Sequence, residues 1–183
     1  MSATWIQTYT GRKFWPLAPH ENDVCIEDIA HALSLTCRYT GHCREFYSVA
    51  QHSVLVSRMV EPPYELWGLM HDAAEAYLPD VASPIKRAIR FEPVERAVMQ
   101  AVANKFSLRL PMPCSVKSAD LCCLERERRQ MLGEPPEEWE TADCWDGDTS
   151  VIMCWSPLIA EMRFIKRFNE LTAIAPHTEG PMQ

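Results

Sequence analysis

The chain reads as an all-α protein. Apolar residues recur at helical spacing over most of the sequence beyond residue 26, proline or a capping residue stands at the head of most such runs, and strand-like alternation is confined to the start of the chain. The expected architecture is a helical bundle of about seven helices with an irregular N-terminal segment. It forms one domain over residues 1–183, a length that supports one compact core.

Residues 1–26 mix aromatic, polar and β-branched residues with turn formers at Tyr9-Thr10-Gly11, Phe14-Trp15-Pro16, Pro19 and Asn22-Asp23, which predicts an irregular stretch with one or two short strands. From Ile26 to Leu33 the apolar positions 26, 29, 30 and 33 mark one helical face, and this helix ends before Thr40-Gly41. Ser48-Val49-Ala50-Gln51 has capping-box spacing and starts a helix at about Val49. Val49, His52, Val56, Met59 and Val60 share its inner face, so His52 points inward. Pro62-Pro63 separates it from a helix running from about Tyr64 to Tyr77, with Leu66, Leu69, Met70, Ala73 and Ala74 as its apolar side.

Leu78-Pro79-Asp80 breaks that helix, and Ser83-Pro84 and Glu92-Pro93 each have the form of a helix start. The second opens a helix burying Val94, Ala97, Val98, Ala101 and Val102. Ser115 is the expected cap of another, on which Val116, Ala119, Asp120, Cys123 and Leu124 lie together, so Asp120 is a carboxylate on a core-facing stripe. Ser156-Pro157 starts a last helix with Leu158, Met162, Ile165 and Phe168 inside.

Composition narrows the function classes. Hydrophobic residues make up 47% and charged residues 23% of the chain, close to the usual globular balance. No secretory signal pattern and no membrane-length apolar run occurs, so the expectation is a cytoplasmic protein with no membrane partner. The eight cysteines are then expected as reduced thiols, and no C-x-x-C pair suggests a structural zinc site. The net charge is −7, and the seven acids between Gly133 and Trp155, a segment without Lys or Arg, account for all of it. This segment, about 133–155, is expected as an acidic surface loop. The formally neutral remainder offers no basic face for long nucleic acid, but leaves room for a small anionic ligand held by a few placed cations.

Three helices each turn metal-capable residues inward: His52, then His71 and Asp72, then Asp120. Buried without a partner, such groups would cost several kcal/mol or more (on the order of ~2–7 kcal/mol for a polar group alone), so they need an ion, a network or water. Each has an ordinary reading taken singly, a hydrogen-bonded core histidine or a buried salt bridge. Four in the order His, His-Asp, Asp on successive helices make those readings hold independently four times over. Two imidazoles and two carboxylates leave open positions in an octahedral shell, which suits a catalytic divalent ion, with Co, Mn, Zn and Mg all compatible.

The pattern resembles the HD-domain metal-dependent phosphohydrolases, from about Tyr9 to the final helix. HDAAEAYLPDVASPIK is similar to the active-site helix and loop of YfbR-like 5'-deoxynucleotidases, and IEDIAHALSLTCRYTGHCREFYSVAQHS is similar to the DatZ-type dATP triphosphohydrolases of phages. The resemblance implies that His52, His71, Asp72 and Asp120 hold the metal and that Glu75, one turn away, is the catalytic carboxylate. It implies that Asp80 holds the sugar 3'-hydroxyl or a second divalent ion near the phosphates. Arg38 matches the family's Arg-aromatic step, with Tyr39 in place of tryptophan, and is expected to bind substrate by stabilising charge on the phosphate together with Lys86 and Lys117.

Lys86, at the end of the S-P-I-K loop, and Lys117, on the face of Asp120, are the expected phosphate contacts, with Arg44 a weaker one. Phe14, Trp15, Pro16, Leu17 and Ile26 form a possible wall against a nucleobase, a role in which Trp15 competes with a plain core position. The implied reaction is hydrolysis of dATP to deoxyadenosine and triphosphate. The alternatives are a 5'-deoxynucleotidase acting on monophosphates, a non-catalytic nucleotide-binding HD domain, and a structural helical module. The implied setting is the cytoplasm, that of the host if the protein is viral, and the implied assembly a homo-oligomer, as large as a hexamer in the DatZ type.

Overall fold

A computed structural model of the chain describes residues 4–79, 81–139, 141–144 and 146–173, with Ser83 and Ala142 described by backbone alone. Among these residues the architecture is all-α: seven α-helices behind an irregular N-terminus that holds a hairpin of two-residue strands and a 3-10 turn at Glu21–Asp23. In that hairpin β1 (Ile6–Gln7) pairs antiparallel with β2 (Lys13–Phe14) across a turn in which Gly11 takes φ 81°. The helices are α1 (Ile26–Leu35), α2 (Val49–Met59), α3 (Glu65–Met70), α4 (Ser83–Ile89), α5 (Glu92–Lys105), α6 (Cys114–Met131) and α7 (Pro157–Ala173). None of them is long and apolar enough to cross a membrane.

Helix α2 is the axis of the bundle. It touches α1, α3, α6 and α7, and Val49, Ala50, Gln51, His52, Ser53, Val54, Val56 and Ser57 are all buried. Such a helix must satisfy its own polar groups: Ser53 and Ser57 donate back to the carbonyls of Val49 and Val54. Ser48 caps it as expected, accepting from the Gln51 amide at 3.1 Å. Gln51 itself does not close the capping box. Its side chain donates to the Met153 carbonyl and accepts from the Trp155 amide, tying the end of the acidic segment to the core.

Packing between α2 and α3 is unusually close. A β-carbon on Gly68 would lie 2.9 Å from Ser57 Cα and 3.1 Å from Val60 Cγ2, so only glycine lets the two backbones meet. Arg167 of α7 clamps the same junction, donating to the Ser57 hydroxyl and carbonyl and to Glu65.

Several boundaries differ from expectation. The helix expected over residues 64–77 is interrupted: α3 stops at Met70, His71 and Asp72 form a turn, and Ala73–Ala76 is a single 3-10 turn. His71 Nδ1 bonds the Gly68 carbonyl, the group a continuing α-helix would offer to the amide of residue 72. Ser83 is the first residue of α4 and not its cap. Pro113 caps α6, while Ser115 Oγ is buried without a partner. Ala97 is exposed. On α7 the buried positions are Ala160 and Phe164, and Leu158 and Met162 are 66% and 59% exposed. Glu161, bonded to His31, and Arg167 fix the rotation of that helix and turn those two residues outward.

The described part of residues 133–155 is more than a solvated loop. Asp148 pairs with Arg126, Gln130 bonds Ser150 and Ile152, and Thr141 bonds the buried Glu125, so it runs as a strap along α6.

Gly68→Ala is expected to lower stability by about 1–3 kcal/mol, the usual cost of forcing extra volume into a closed contact. A denaturant midpoint equal to that of the parent chain would show that α2 and α3 separate freely.

Candidate metal centre

The α2–α3 contact brings two imidazoles together at their Nε2 atoms, the rings tilted by 59° to each other. His52 Nε2 lies 3.2 Å from His71 Nε2 and 3.2 Å from Asp120 Oδ1 of α6, and His71 Nε2 lies 3.2 Å from Asp72 Oδ2. Two further separations are 3.7 Å from His52 to Asp72 and 3.8 Å from His71 to Asp120. Metal bonds of about 2.0–2.2 Å at octahedral or tetrahedral angles place neighbouring ligand atoms about 2.8–3.6 Å apart, so three of these five separations match and two are slightly long. The donor chemistry fits as well. Each histidine is bonded through Nδ1, His52 to Glu127 and His71 to the Gly68 carbonyl, which turns both Nε2 atoms toward the carboxylates. The ligand atoms of His52, His71 and Asp72 all lie within 4.8 Å of one another, a group that could hold a metal ion, and Asp120 Oδ1 adjoins it through His52.

The largest feature missed in the sequence is Glu127. Fully buried on α6, it receives His52 Nδ1 at 2.6 Å, Tyr47 Oη at 2.7 Å and Cys123 Sγ at 3.3 Å on one oxygen. Its other oxygen receives Tyr39 Oη at 2.8 Å and two nitrogens of Arg38 at 3.1 Å. His52, Cys123 and Glu127 also form a group with metal-binding spacing. With both oxygens of Glu127 engaged by donors, that group is a hydrogen-bonded support for His52. A signal did exist: Asp120, Cys123 and Glu127 recur at i, i+3 and i+7, but Glu127 sits in the charged run LERERR, which reads as a solvated face.

Arg38 joins support and ligands, with Nη1 3.6 Å from Asp72 Oδ2. It therefore lies at the cluster, held by Glu127. Tyr39 and Thr40 adopt left-handed φ of 57° and 52°, rare for side chains of this kind, to bring Arg38 and Tyr39 onto the same carboxylate.

Burial alone would raise the Glu127 pKa, but Arg38 and His52 hold it down at about 2. Burial likewise works against charge on His71, and the adjacent Asp72 and Asp120 outweigh it, lifting His71 to about 9 in the metal-free chain. Asp72 and Asp120, despite burial, are held well below the ordinary carboxyl range, each by the two histidines with Arg38 or Lys117 assisting.

A cavity of about 320 Å³ opens beside the cluster, lined by His71, Asp72, Glu75, Glu92, Glu95 and Arg96 on its polar side and by Trp67, Met99, Leu110 and Met112 on its apolar side. Glu75 thus shares a cavity with two of the four clustered residues. Lys86 is not in its wall but pairs with two residues that are, 3.5 Å from Glu75 and 2.6 Å from Glu95. Lys117 bonds Asp120 at 2.8 Å. Arg44 lines a separate hollow with Arg128, Arg129 and Glu134, away from the cluster. Trp15 is half-buried and not part of the cavity wall, and its neighbour Phe14 is buried in a stack with Tyr77 at 3.9 Å, so the expected nucleobase wall is not at this cavity. Asp80 lies outside the described residues.

Two outcomes follow from the ionisation states. Below pH 9 a divalent ion must displace the His71 proton, so the apparent affinity for Co²⁺ is expected to rise about tenfold per pH unit up to about pH 9 and then level off. A pH-independent titration would separate His71 from the ion. Glu127 has a folded pKa below its ordinary 4.5, so its stabilising contribution is complete above pH 4.5 and lost as pH falls toward 2. Glu127→Gln is expected to weaken Co²⁺ binding about 10–100-fold, as loss of a histidine-orienting carboxylate typically does, and to flatten the acid side of the stability curve.

No family model matches the chain. It is 34% identical over 173 residues to the uncharacterized protein YfdR of Escherichia coli (strain K12), covering 93% of this chain and 97% of YfdR. It is 32% identical over 148 residues to the uncharacterized protein RCAP_rcc00048 of Rhodobacter capsulatus, covering 73% of this chain and 76% of that protein. With about a third of its residues shared along nearly the full length of both proteins, the chain belongs to the same family as YfdR.

Proposed function

We propose that the chain is a metal-dependent phosphohydrolase acting on deoxynucleotides, with dATP cleaved to deoxyadenosine and triphosphate. The observation that carries the reading is the convergence of His52, His71, Asp72 and Asp120 at the edge of a cavity that also holds Glu75. A divalent ion held by those four residues, whether cobalt, manganese, zinc or magnesium, supplies Lewis-acid activation of water and of a phosphoryl oxygen.

The chain's own groups do the rest. Glu75, bridged to Lys86, is the cavity carboxylate placed to orient the attacking water and take its proton. Arg38 holds positive charge beside Asp72, and Lys117 does so beside Asp120, where negative charge grows on the phosphate in flight. The apolar wall of Trp67, Met99, Leu110 and Met112 excludes water from one side and accepts the base or sugar. The choice of dATP rests on the likeness of residues 26–53 to the DatZ type.

One observation favours the second reading, a 5'-deoxynucleotidase. Glu75, Glu92 and Glu95 all line the cavity, and a monophosphate brings fewer negative charges against them than a triphosphate.

Incubation with dATP, dGTP and the deoxynucleoside monophosphates, with Mn²⁺ or Co²⁺, decides between them. Inorganic triphosphate from dATP is the expected product, and orthophosphate from monophosphates alone would move the assignment to the nucleotidase. Glu75→Gln is expected to lower kcat by about 10²–10⁴-fold with Co²⁺ affinity retained. Asp72→Ala is expected to abolish both turnover and the thermal stabilisation by metal. An Asp72→Ala chain that stays active, or is stabilised by Co²⁺ like the parent, would dismiss the metal-dependent reading.

A further inference from the structure

We propose that Cys37 and Cys43 are a reversible dithiol–disulfide pair, closed by a low-molecular-weight disulfide such as oxidised glutathione, that crosslinks the ends of the loop carrying Arg38 and Tyr39. The inference is independent of the reaction proposed above.

The two sulfurs lie 3.5 Å apart across a five-residue loop. A disulfide needs about 2.05 Å between sulfurs, so closure asks for about 1.5 Å of approach, within reach of side-chain rotation. The backbone is already folded for it. Tyr39, Thr40 and Gly41 take successive φ values of 57°, 52° and 80°, which curl the chain back on itself, and the His42 amide closes the turn on the Tyr39 carbonyl. At the base of the loop Cys37 is bridged to Ser48, and the Arg38 amide bonds the Tyr47 carbonyl.

Both cysteines are half-buried, and the residues around Cys43, at 40–42 and 44–46, are exposed, so a small disulfide has access from that side. The other thiols nearest to function are otherwise engaged: Cys123 with Glu127, Cys25 with Glu27, and Cys154 with the Met131 sulfur at 3.7 Å.

The exchange balances without any further reagent. Cys43, as thiolate, attacks one sulfur of the external disulfide and releases its first thiolate. Cys37 then gives up its proton, its sulfur attacks Cys43 Sγ, and the second thiolate leaves. Two cysteine thiols are oxidised, one external disulfide is reduced to two thiols, and the two cysteine protons end on those thiols. The bond would fix the segment that holds Arg38 and Tyr39 against Glu127.

The test equilibrates the full chain in glutathione buffers of rising oxidised fraction, alkylates free thiols, and digests with trypsin, which cuts after Arg38 and after Arg44 and so separates the two cysteines. The expected result is a linked pair of peptides 14–38 and 39–44, two hydrogens lighter than the sum of the two with Cys25 alkylated, that vanishes with dithiothreitol. The pair is expected to be lost in Cys37→Ser and kept in Cys25→Ser and Cys154→Ser. Amide exchange over residues 38–43 is expected to slow about tenfold in the oxidised chain. Complete alkylation of both cysteines in oxidised glutathione, a crosslink that survives Cys37→Ser, or unchanged exchange on crosslinking would each overturn the proposal.

Discussion

The bond from His52 to the buried carboxylate of Glu127 is the constraint on which the site depends. An unpaired carboxylate at that depth would not remain ionised, and its charge persists because Arg38, Tyr39, Tyr47 and Cys123 donate to it together with the imidazole. Once it is ionised, His52 has one stable arrangement: proton on Nδ1, lone pair on Nε2, ring plane fixed. The Nε2 of His71 and the carboxylates of Asp72 and Asp120 are arranged around that nitrogen. The loop between α1 and α2, with two consecutive left-handed residues, follows from the same requirement, since Arg38 and Tyr39 both have to reach one carboxylate.

Position along the helices is set by a different contact. Glycine at residue 68 lets α3 approach α2 until the imidazoles are 3.2 Å apart, and its carbonyl fixes the His71 ring. The two roles of Gly68 are linked, because the carbonyl taken by His71 lies where α3 gives way to a tighter turn. That break re-aims Asp72. In a continuous helix, neighbouring residues diverge by about 100°, and the turn at His71-Asp72 lets both side chains reach the same point.

Much of this was legible in the sequence, and for identifiable reasons. Capping serine, Pro-Pro and Glu-Pro signals, with apolar spacing, locate α2, α3 and α5, and the inward faces of His52 and Asp120 follow from helical period alone. Local signals did not reveal what depends on contacts between elements. Leu158 and Met162 have core spacing but face outward because Arg167 and Glu161 set the rotation of α7. Glu127 has surface spacing among arginines but faces inward, since only the fold reveals that two tyrosines and Arg38 wait there. Lys86 has the look of a free phosphate contact and is neutralised by Glu75 and Glu95, the latter from a different helix.

Charge balance at the cluster explains how an acidic protein can present a cationic point. Leaving His52 aside, the negative groups are Asp72, Asp120 and Glu127, and the metal-free chain offsets them with Arg38, Lys117 and a protonated His71. The set is then formally neutral and has little pull on an anion. A divalent ion entering with loss of the His71 proton would leave one positive charge in excess, confined to a half-buried cavity edge where screening by water is weak. The sign of the field at the cluster would therefore turn on whether an ion is bound there. The adjoining cavity carries the opposite sign, since Glu75, Glu92 and Glu95 all line it, so any positive charge gained by the cluster would be bounded on the cavity side by carboxylates.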